Sequence, residues 1–322
     1  MFSDLHPKSM TVIGLAIATA TVLMIAIEFL RRRKSPFPYY GWAGLAVLLA
    51  AEWLLFQRVL PVTIYFTPIA WTAYLLIVDA MIFAIRGRSR LHGTRPQLIW
   101  MAILSIPLWL IFEAYNLRLA NWIYVGLPEN TAARLIGYAW SFATITPAIL
   151  LTAELVESFG WFKRSSPLRF SQTAHNAMIA FGAACLALPL VLPQRIAAYL
   201  FALVWIGFVF LLDPINHKVG LPSLLTDLAV GYRGRFWSLF ISGWVCGWLW
   251  EFWNYWAAAK WLYVFPIFQD WKVFEMPIPG YLGFLPFALE CFVMYVSASW
   301  VMKTLTSRRA EGSASRFPRL EL

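Results

Sequence analysis

Apolar residues run through the sequence in nine stretches, at about residues 10–30, 41–57, 65–85, 98–116, 135–157, 174–192, 197–212, 236–258 and 280–302, each parted from the next by a short polar or basic segment. A helix needs about 20 apolar residues to cross a hydrocarbon core roughly 30 Å thick. Lipid offers backbone N–H and C=O groups no partner, so each crossing closes its own hydrogen bonds as a helix. The pattern predicts an all-α, polytopic integral membrane bundle of nine spans. The Ala18-Thr19-Ala20 tripeptide resembles a signal-cleavage site, but the apolar run continues past it to Leu30 and the basic cluster Arg31-Arg32-Arg33-Lys34 follows. That order describes a first membrane helix.

The basic residues then orient the bundle. If the N-terminus is outside, the inner segments are 31–40, 86–97, 158–173, 213–235 and the tail from 303, with 4, 4, 3, 3 and 5 Lys or Arg. That is 19 of the 26, against 7 in all outer segments together. Cytoplasmic loops carry the Lys/Arg excess, so the expected topology is N-out and C-in.

Two parts of the chain read alike. Val59-Leu60-Pro61 precedes Trp71, Asp79, a basic loop with Gly87, then Glu113 and Asn116, Trp122 and Tyr124, Pro128, and Gly137-Tyr138 opening a stretch that carries Glu154. Val191-Leu192-Pro193 precedes Trp205, Asp213, a loop with Gly220, then Glu251 and Asn254, Trp261 and Tyr263, Pro266, and Gly280-Tyr281 opening a stretch that carries Glu290. An ordered series of this kind marks an internal repeat. Each repeat holds four spans, an even number, so the two share one orientation and are expected to be related by an axis along the membrane normal. The resulting division is an N-terminal helix and basic loop (1–40), a first four-helix repeat (41–157), a basic linker (158–173), a second four-helix repeat (174–302) and a basic tail (303–322).

Within this frame the chemistry concentrates in the two Glu-x-x-Asn pairs, Glu113 with Asn116 and Glu251 with Asn254. At i and i+3 both polar side chains share one face of an otherwise apolar, aromatic helix. A carboxylate costs about 2.5–3.5 kcal/mol or more at the centre of a spanning helix, so such groups face the bundle interior. Glu290, ten residues beyond Gly280 and hence about 15 Å along a helix, joins them from mid-membrane. Trp248, Trp250 and Trp253 surround Glu251. Aromatic faces stabilise cations, and a carboxylic acid kept neutral by burial donates a proton. The candidate catalytic residues are therefore Glu251, Glu113 and Glu290, with Asn116, Asn254, Trp248, Trp250 and Trp253 as substrate-binding candidates around one central cavity. The competing reading is a structural clamp in which each Glu and Asn only fixes packing. Trp122, Tyr124, Trp261 and Tyr263 read as interfacial belt residues. Asp79 and Asp213, beside basic loops, read as ion-pair partners, and Glu52 as a cavity or interhelix group.

Composition agrees with this class and removes others. The 322 residues are 61% hydrophobic and 13% charged, with a mean hydropathy of +0.65. The net charge of +10 is spent on loops and gives no basic face for nucleic acid. Cys185, Cys246 and Cys291 lie inside apolar stretches without metal-ligand spacing, and His6, His92, His175 and His217 form no cluster. No metal and no cofactor is expected, since Gly-rich phosphate loops and Asp-rich diphosphate motifs are absent from the sequence. The expected partners are the bilayer and a membrane lipid or isoprenoid substrate. The short loops fit the inner membrane of a bacterial cell.

Two stretches carry a resemblance to a known group. From Phe112 to Glu154 and from Trp250 to Glu290, an acid-bearing span, a Trp-x-Tyr loop and a Gly- and Pro-marked start of a further acid-bearing helix resemble the membrane domains of heterodimeric-type lycopene cyclases, carotenoid hydratases and small membrane terpene cyclases. The Pro-x-Glu-Glu signature of that group is absent, and Phe274-Glu275-Met276-Pro277-Ile278-Pro279-Gly280-Tyr281 stands in its place. The resemblance implies carotenoid or terpenoid biosynthesis, with acid-initiated cyclisation or hydration of a long isoprenoid as lyase- or isomerase-type chemistry without redox steps. A transporter using the buried acids as proton or cation sites, and a non-catalytic membrane scaffold or lipid-binding protein, are the alternative readings. An enzyme of this kind needs an apolar pocket with acids at its end, a transporter needs polar access from both faces, and a scaffold needs no cavity.

The basic asymmetry sets the first test. A reporter fused after Leu322 is expected on the cytoplasmic side and one inserted near Glu129 on the opposite side. Reversed labelling at either site contradicts the orientation.

Overall fold

The computed structural model describes residues 8–314. Its long helices are α1 (Lys8–Arg32), α2 (Tyr39–Phe56), α3 (Phe66–Arg86), α4 (Arg95–Leu119), α5 (Thr131–Ser158), α6 (Gln172–Val191), α7 (Phe201–Lys218), α8 (Gly234–Trp256) and α9 (Phe284–Ala314). Eight segments are long and apolar enough to cross a membrane by length and composition, which makes the chain a multi-pass helical membrane protein. The exception is α8, whose hydropathy is lowered by its tryptophans together with Arg235, Glu251 and Asn254. It is nevertheless deeply buried, with Trp248, Trp250, Glu251, Trp253 and Asn254 all inside the bundle. A buried helix need not look apolar to lipid when its neighbours satisfy it.

The expectation of an all-α chain needs one amendment. Strand β1 (Trp122–Val125) pairs antiparallel with β2 (Lys260–Tyr263), and β3 (Lys272–Val273) pairs with β4 (Met276–Pro277). Four-residue strands lie below the resolution of a hydropathy pattern, and β1 and β2 are brought together from connections far apart in sequence. In β1–β2, Trp122 lies opposite Tyr263, Ile123 opposite Leu262, and Tyr124 opposite Trp261. Each Trp of one loop thus faces the Tyr of the other.

Helix packing follows one scheme twice. In the first half α2 packs on α3, α3 on α5 and α4 on α5; in the second, α6 packs on α7, α7 on α9 and α8 on α9. The halves meet where α8 packs on α5. Along α5, Ala148, Ile149, Leu151, Leu155 and Val156 are fully buried. Close approach depends on small side chains, which let helices in a membrane approach backbone to backbone. A Cβ on Gly243 would meet the Phe284 carbonyl at 2.2 Å. The Ser242 hydroxyl donates to the Ile149 carbonyl at 2.6 Å, tying α8 to α5. Helix α1 stands outside both halves and packs on α8.

At the basic-loop end the aspartates do not serve as ion-pair partners. Asp79 accepts hydrogen bonds from Ser89 Oγ (2.7 Å), Leu91 N–H (3.1 Å) and Tyr40 OH (2.9 Å). Asp213 accepts from Leu224 N–H (2.7 Å) and Leu225 N–H (2.9 Å). Each carboxylate holds the start of the short helix that follows its loop, Arg90–Gly93 or Leu224–Ala229. Among the described residues neither forms an ion pair, and the basic side chains go elsewhere: Arg86 and Arg90 to Glu154, and Arg235 to Asp227. Free N–H groups at a helix start suit a carboxylate with little reach. Glu154, bound to that cluster, is also not the counterpart of mid-helix Glu290.

Removing the Asp213 carboxylate is expected to destabilise the fold, because two buried N–H groups lose an anionic acceptor. Such bonds are worth about 1.5–3 kcal/mol. Asp213→Ala should lower the thermal midpoint of the detergent-solubilised protein clearly more than His217→Ala in the last turn of the same helix, and equal midpoints would refute the capping role.

Candidate functional site

The site forms where β1 and β2 close over the ends of α4 and α8. Helix α4 ends at Leu119 with Ala120 in the left-handed region at φ 52°. The Asn116 side chain secures this turn, its Oδ1 accepting from Asn121 N–H (2.8 Å) and Trp122 N–H (3.1 Å) and its Nδ2 donating to the Trp122 carbonyl (2.8 Å). Asn254 does the same for the second loop: Oδ1 accepts from Trp261 N–H (3.0 Å) and Nδ2 donates to the Trp261 carbonyl (2.9 Å). Both amides are consumed by backbone groups at the start of a strand. The clamp reading therefore describes the two asparagines, each of which spends its carbonyl and one amide N–H on the backbone of its own loop.

The glutamates take the hydroxyls of the same loops. Glu113 Oε1 accepts from Tyr124 OH (2.6 Å), Trp109 Nε1 (2.8 Å) and Trp122 Nε1 (3.3 Å). Glu251 Oε1 accepts from Tyr263 OH (3.0 Å), which itself accepts from Trp261 Nε1 (3.0 Å). The two carboxyls are not equally satisfied. Glu113 is half-buried with three donors, whereas Glu251 is fully buried and its second oxygen has no hydrogen-bond partner among the described residues. Lys272 and Glu275 lie within electrostatic reach of Glu251. Burial and the neighbouring carboxylates push both tyrosine hydroxyls, which sit outside the helices, well above the ordinary phenol pKa, so they stay protonated and donate hydrogen bonds to the acids.

A cavity of about 140 Å³ lies against these loops. Its wall draws on both halves of the chain in matching pairs: Trp71 and Trp205, Phe112 and Trp250, Trp122 and Trp261, Tyr124 and Tyr263. Glu113, Glu251, Glu290, Asn116 and Asn254 are not in that wall, contrary to the expectation that they line it. The reason is side-chain reach. A Tyr offers an apolar ring to the cavity and turns its hydroxyl back to an acid, so each glutamate sits one layer behind the ring it holds.

The tryptophans divide. Trp250 lines the cavity and packs on Trp71 at 4.9 Å. Trp248 instead stacks on Tyr281 at 4.0 Å, in a separate cluster with Val273, Phe274 and Met276. Trp253 lies behind Trp71 at 4.9 Å and donates to Glu52 Oε1 at 3.2 Å. Glu52 is therefore an interhelix partner. Glu290 is fully buried on α9, with the backbone of Phe208 beside it and no hydrogen-bond partner of good geometry for either oxygen among the described residues. Its helix neighbour Phe287 belongs to the cavity wall.

Sequence reasoning missed Trp122, Tyr124, Trp261 and Tyr263 as cavity residues. Their signal was present: in both halves a Trp-x-Tyr follows Glu-x-x-Asn at nearly constant distance, 11 residues from Glu113 to Tyr124 and 12 from Glu251 to Tyr263. Interfacial belts require no such register. Among the described residues no group of three or more His, Cys, Asp or Glu could hold a metal ion. Compared with known proteins, the chain matches no family model, no curated protein and no solved structure. The resemblance to lycopene cyclases and their kin gains nothing from that comparison.

Asn254 and Tyr263 should separate by phenotype. Asn254→Ala strands two partly buried backbone groups of Trp261 and is expected to cost about 2 kcal/mol of stability. Tyr263→Phe keeps the ring in the wall and is expected to cost about 1 kcal/mol or less, mainly through the lost bond to Glu251. Melting of both variants in detergent checks the order; a larger loss in Tyr263→Phe would overturn it.

Proposed function

We propose that the protein is an intramembrane enzyme that rearranges or hydrates an isoprenoid or related unsaturated lipid by proton transfer, with Tyr124 and Tyr263 as the groups that meet the substrate. The observation that carries this reading is the pair of tyrosines whose rings share one aromatic cavity while their hydroxyls bond Glu113 and Glu251. In this proposal the nine long helices all cross the bilayer, N-out and C-in. Residues 41–157 and 174–302 form two repeats of one orientation, joined by the 158–173 linker and flanked by α1. The repeated packing scheme, the two Asn-capped loops and the reciprocal Trp–Tyr register of β1 and β2 support the repeat.

Glu251 is the proton source in this scheme, and Tyr263 stands between it and the cavity. Transfer of a proton from Tyr263 to one carbon of a C=C bond uses the π electrons to form a C–H bond and leaves a cation on the other carbon. Glu251 returns a proton to the tyrosine oxygen. The faces of Trp71, Trp205 and Trp250 would steady that cation. Attack by a second C=C bond gives a ring, and attack by water gives an alcohol. Loss of a proton through Tyr124 to Glu113, which otherwise accepts three hydrogen bonds, gives neutral product without redox change and leaves Glu113 protonated and Glu251 ionised. Release of that proton from Glu113 to water and uptake of one by Glu251 reset the pair. Glu290, beneath Phe287, is assigned a supporting place behind the wall.

A transport role receives less support. The cavity is lined from the β1–β2 end of the helices, while the opposite end is occupied by the Asp79, Asp213 and Glu154 networks. A pure scaffold accounts for the asparagines but not for a cavity walled by paired aromatics.

Lipid extracts of a deletion strain and its parent test the proposal. Loss or accumulation of an isoprenoid is expected on deletion, with rescue by the wild-type gene. Glu251→Gln and Tyr263→Phe should each reduce rescue at least about 100-fold, the lower end for general acid–base catalysis, at near-normal protein level. Rescue by both variants at wild-type rates would refute the mechanism, and an unchanged lipid profile would refute the enzyme reading.

A further inference from the structure

The aromatic cavity contains one cation that no part of the described chain answers. Arg134, in the first turn of α5, lines it beside Leu127, Pro128 and Tyr138. Among the described residues no carboxylate reaches ion-pair distance of its guanidinium, and its recorded hydrogen bond is the backbone one to the Asn130 carbonyl. Lys260 also lines the cavity, but its Nζ is held by Glu275 Oε1 at 2.6 Å and by the Tyr255 carbonyl at 3.2 Å. Glu129, the nearest acid in sequence, is exposed and makes no ion pair with Arg134. With Gly137 aligned on Gly280, the second half has Pro277 at the position of Arg134, so the repeat supplies no second cation there.

An arginine half-buried among Tyr, Pro and Leu and left unpaired is a poor structural element. Its planar fork of five donors suits an oxyanion held by two parallel hydrogen bonds. We infer that the cavity's ligand is an amphiphile whose unsaturated chain lies among the tryptophans and whose single oxyanionic head, a phosphate monoester or carboxylate, is held by Arg134. The inference rests on the reading that the cavity takes an isoprenoid-like chain, and it names the chemical class at the other end of that chain. The head is a handle rather than a leaving group, because the described residues contain no acidic cluster to hold a diphosphate through a divalent ion. Recognition of the head at Arg134 fixes which double bond lies at Tyr263. It also makes the reaction selective for a substrate that a preceding phosphorylation or oxidation has made anionic.

Three probes test this on the full-length protein in a neutral detergent, with thermal-shift and fluorescence titration: farnesyl phosphate, farnesol and inorganic phosphate. Wild type is expected to bind farnesyl phosphate about 10-fold or more tighter than farnesol, a difference of ~1.4 kcal/mol. In Arg134→Gln that preference should vanish while farnesol binding and the melting point of the unliganded protein stay unchanged; Arg134→Lys should keep part of it. Equal wild-type affinities for farnesyl phosphate and farnesol would overturn the inference and leave the lipid-cavity reading standing. A preference retained in Arg134→Gln would overturn it too, as would inorganic phosphate binding as tightly as farnesyl phosphate. Failure of both lipids to bind would remove the cavity reading and this inference together.

Discussion

Antiparallel pairing of Trp122–Val125 with Lys260–Tyr263 is the constraint from which the rest of the site follows. The two strands come from the loops that follow α4 and α8, and their backbone bonds tie those two connections together at one end of the bundle. Beyond the last ladder residues, Val264 N–H donates to the Asn121 carbonyl at 2.8 Å, extending the pairing to the Asn-held turn. That bond makes Asn121–Val264 a hydrogen-bonded pair, so Trp122–Tyr263 and Tyr124–Trp261 are the closer, non-hydrogen-bonded pairs. The four side chains therefore share one face of the ribbon, and all four line the cavity. The geometry tolerates little change: Gly126 ends β1 at φ +66°, and a Cβ there would lie 2.0 Å from the Ala258 carbonyl. Sequence dictates the loop, the loop dictates the pairing, and the pairing places two hydroxyls against two acids.

The cost of this arrangement is concentrated in α8 and α9. Glu251 and Glu290 are fully buried, with three of their four carboxyl oxygens lacking a partner among the described residues. Buried ionisable groups are expensive in a membrane protein, and replacing them with apolar residues of similar volume is often neutral or stabilising. Asn116, Asn254, Asp79 and Asp213 are different, since each satisfies backbone groups that would otherwise be orphaned. Polar residues in this bundle thus fall into two kinds, those whose removal exposes a defect and those whose presence is one. The second kind is where function is expected to reside.

Much of the fold was legible because a spanning helix leaves a long, unmistakable signal. The nine apolar stretches correspond to α1 through α9, with shifts at α7, which runs Phe201–Lys218 because Pro214 is accommodated within the helix, and at α9, which continues past 302 to Ala314 into the expected basic tail. The recurrence of Glu-x-x-Asn located the site region. What escaped was short-range and three-dimensional. Strands of four residues carry no periodicity worth the name, and a Tyr in an interfacial loop looks the same whether it faces headgroups or a cavity. The reading of Asp79 and Asp213 as ion-pair partners failed because nearby arginines are a visible feature of sequence, whereas the free N–H groups of a short helix are not. Arg134 was counted only toward topology, since nothing in its flanking residues reveals that no carboxylate comes back to meet it.

The central claim is that the two Trp-x-Tyr loops clasp each other. It is tested most directly by a disulfide between Ile123→Cys and Leu262→Cys, in a chain with Cys185, Cys246 and Cys291 replaced by Ser or Ala. These two positions lie directly opposite in the β1–β2 register, within the Cα separation of about 4.4–6.8 Å that a disulfide spans. Mild oxidation in native membranes should form the bridge in high yield, while the offset pair Ile123→Cys with Phe265→Cys should not cross-link. Absence of the first bridge with both thiols free to react with a maleimide, or equal yield for the two pairs, would contradict the clasp and with it the shared cavity.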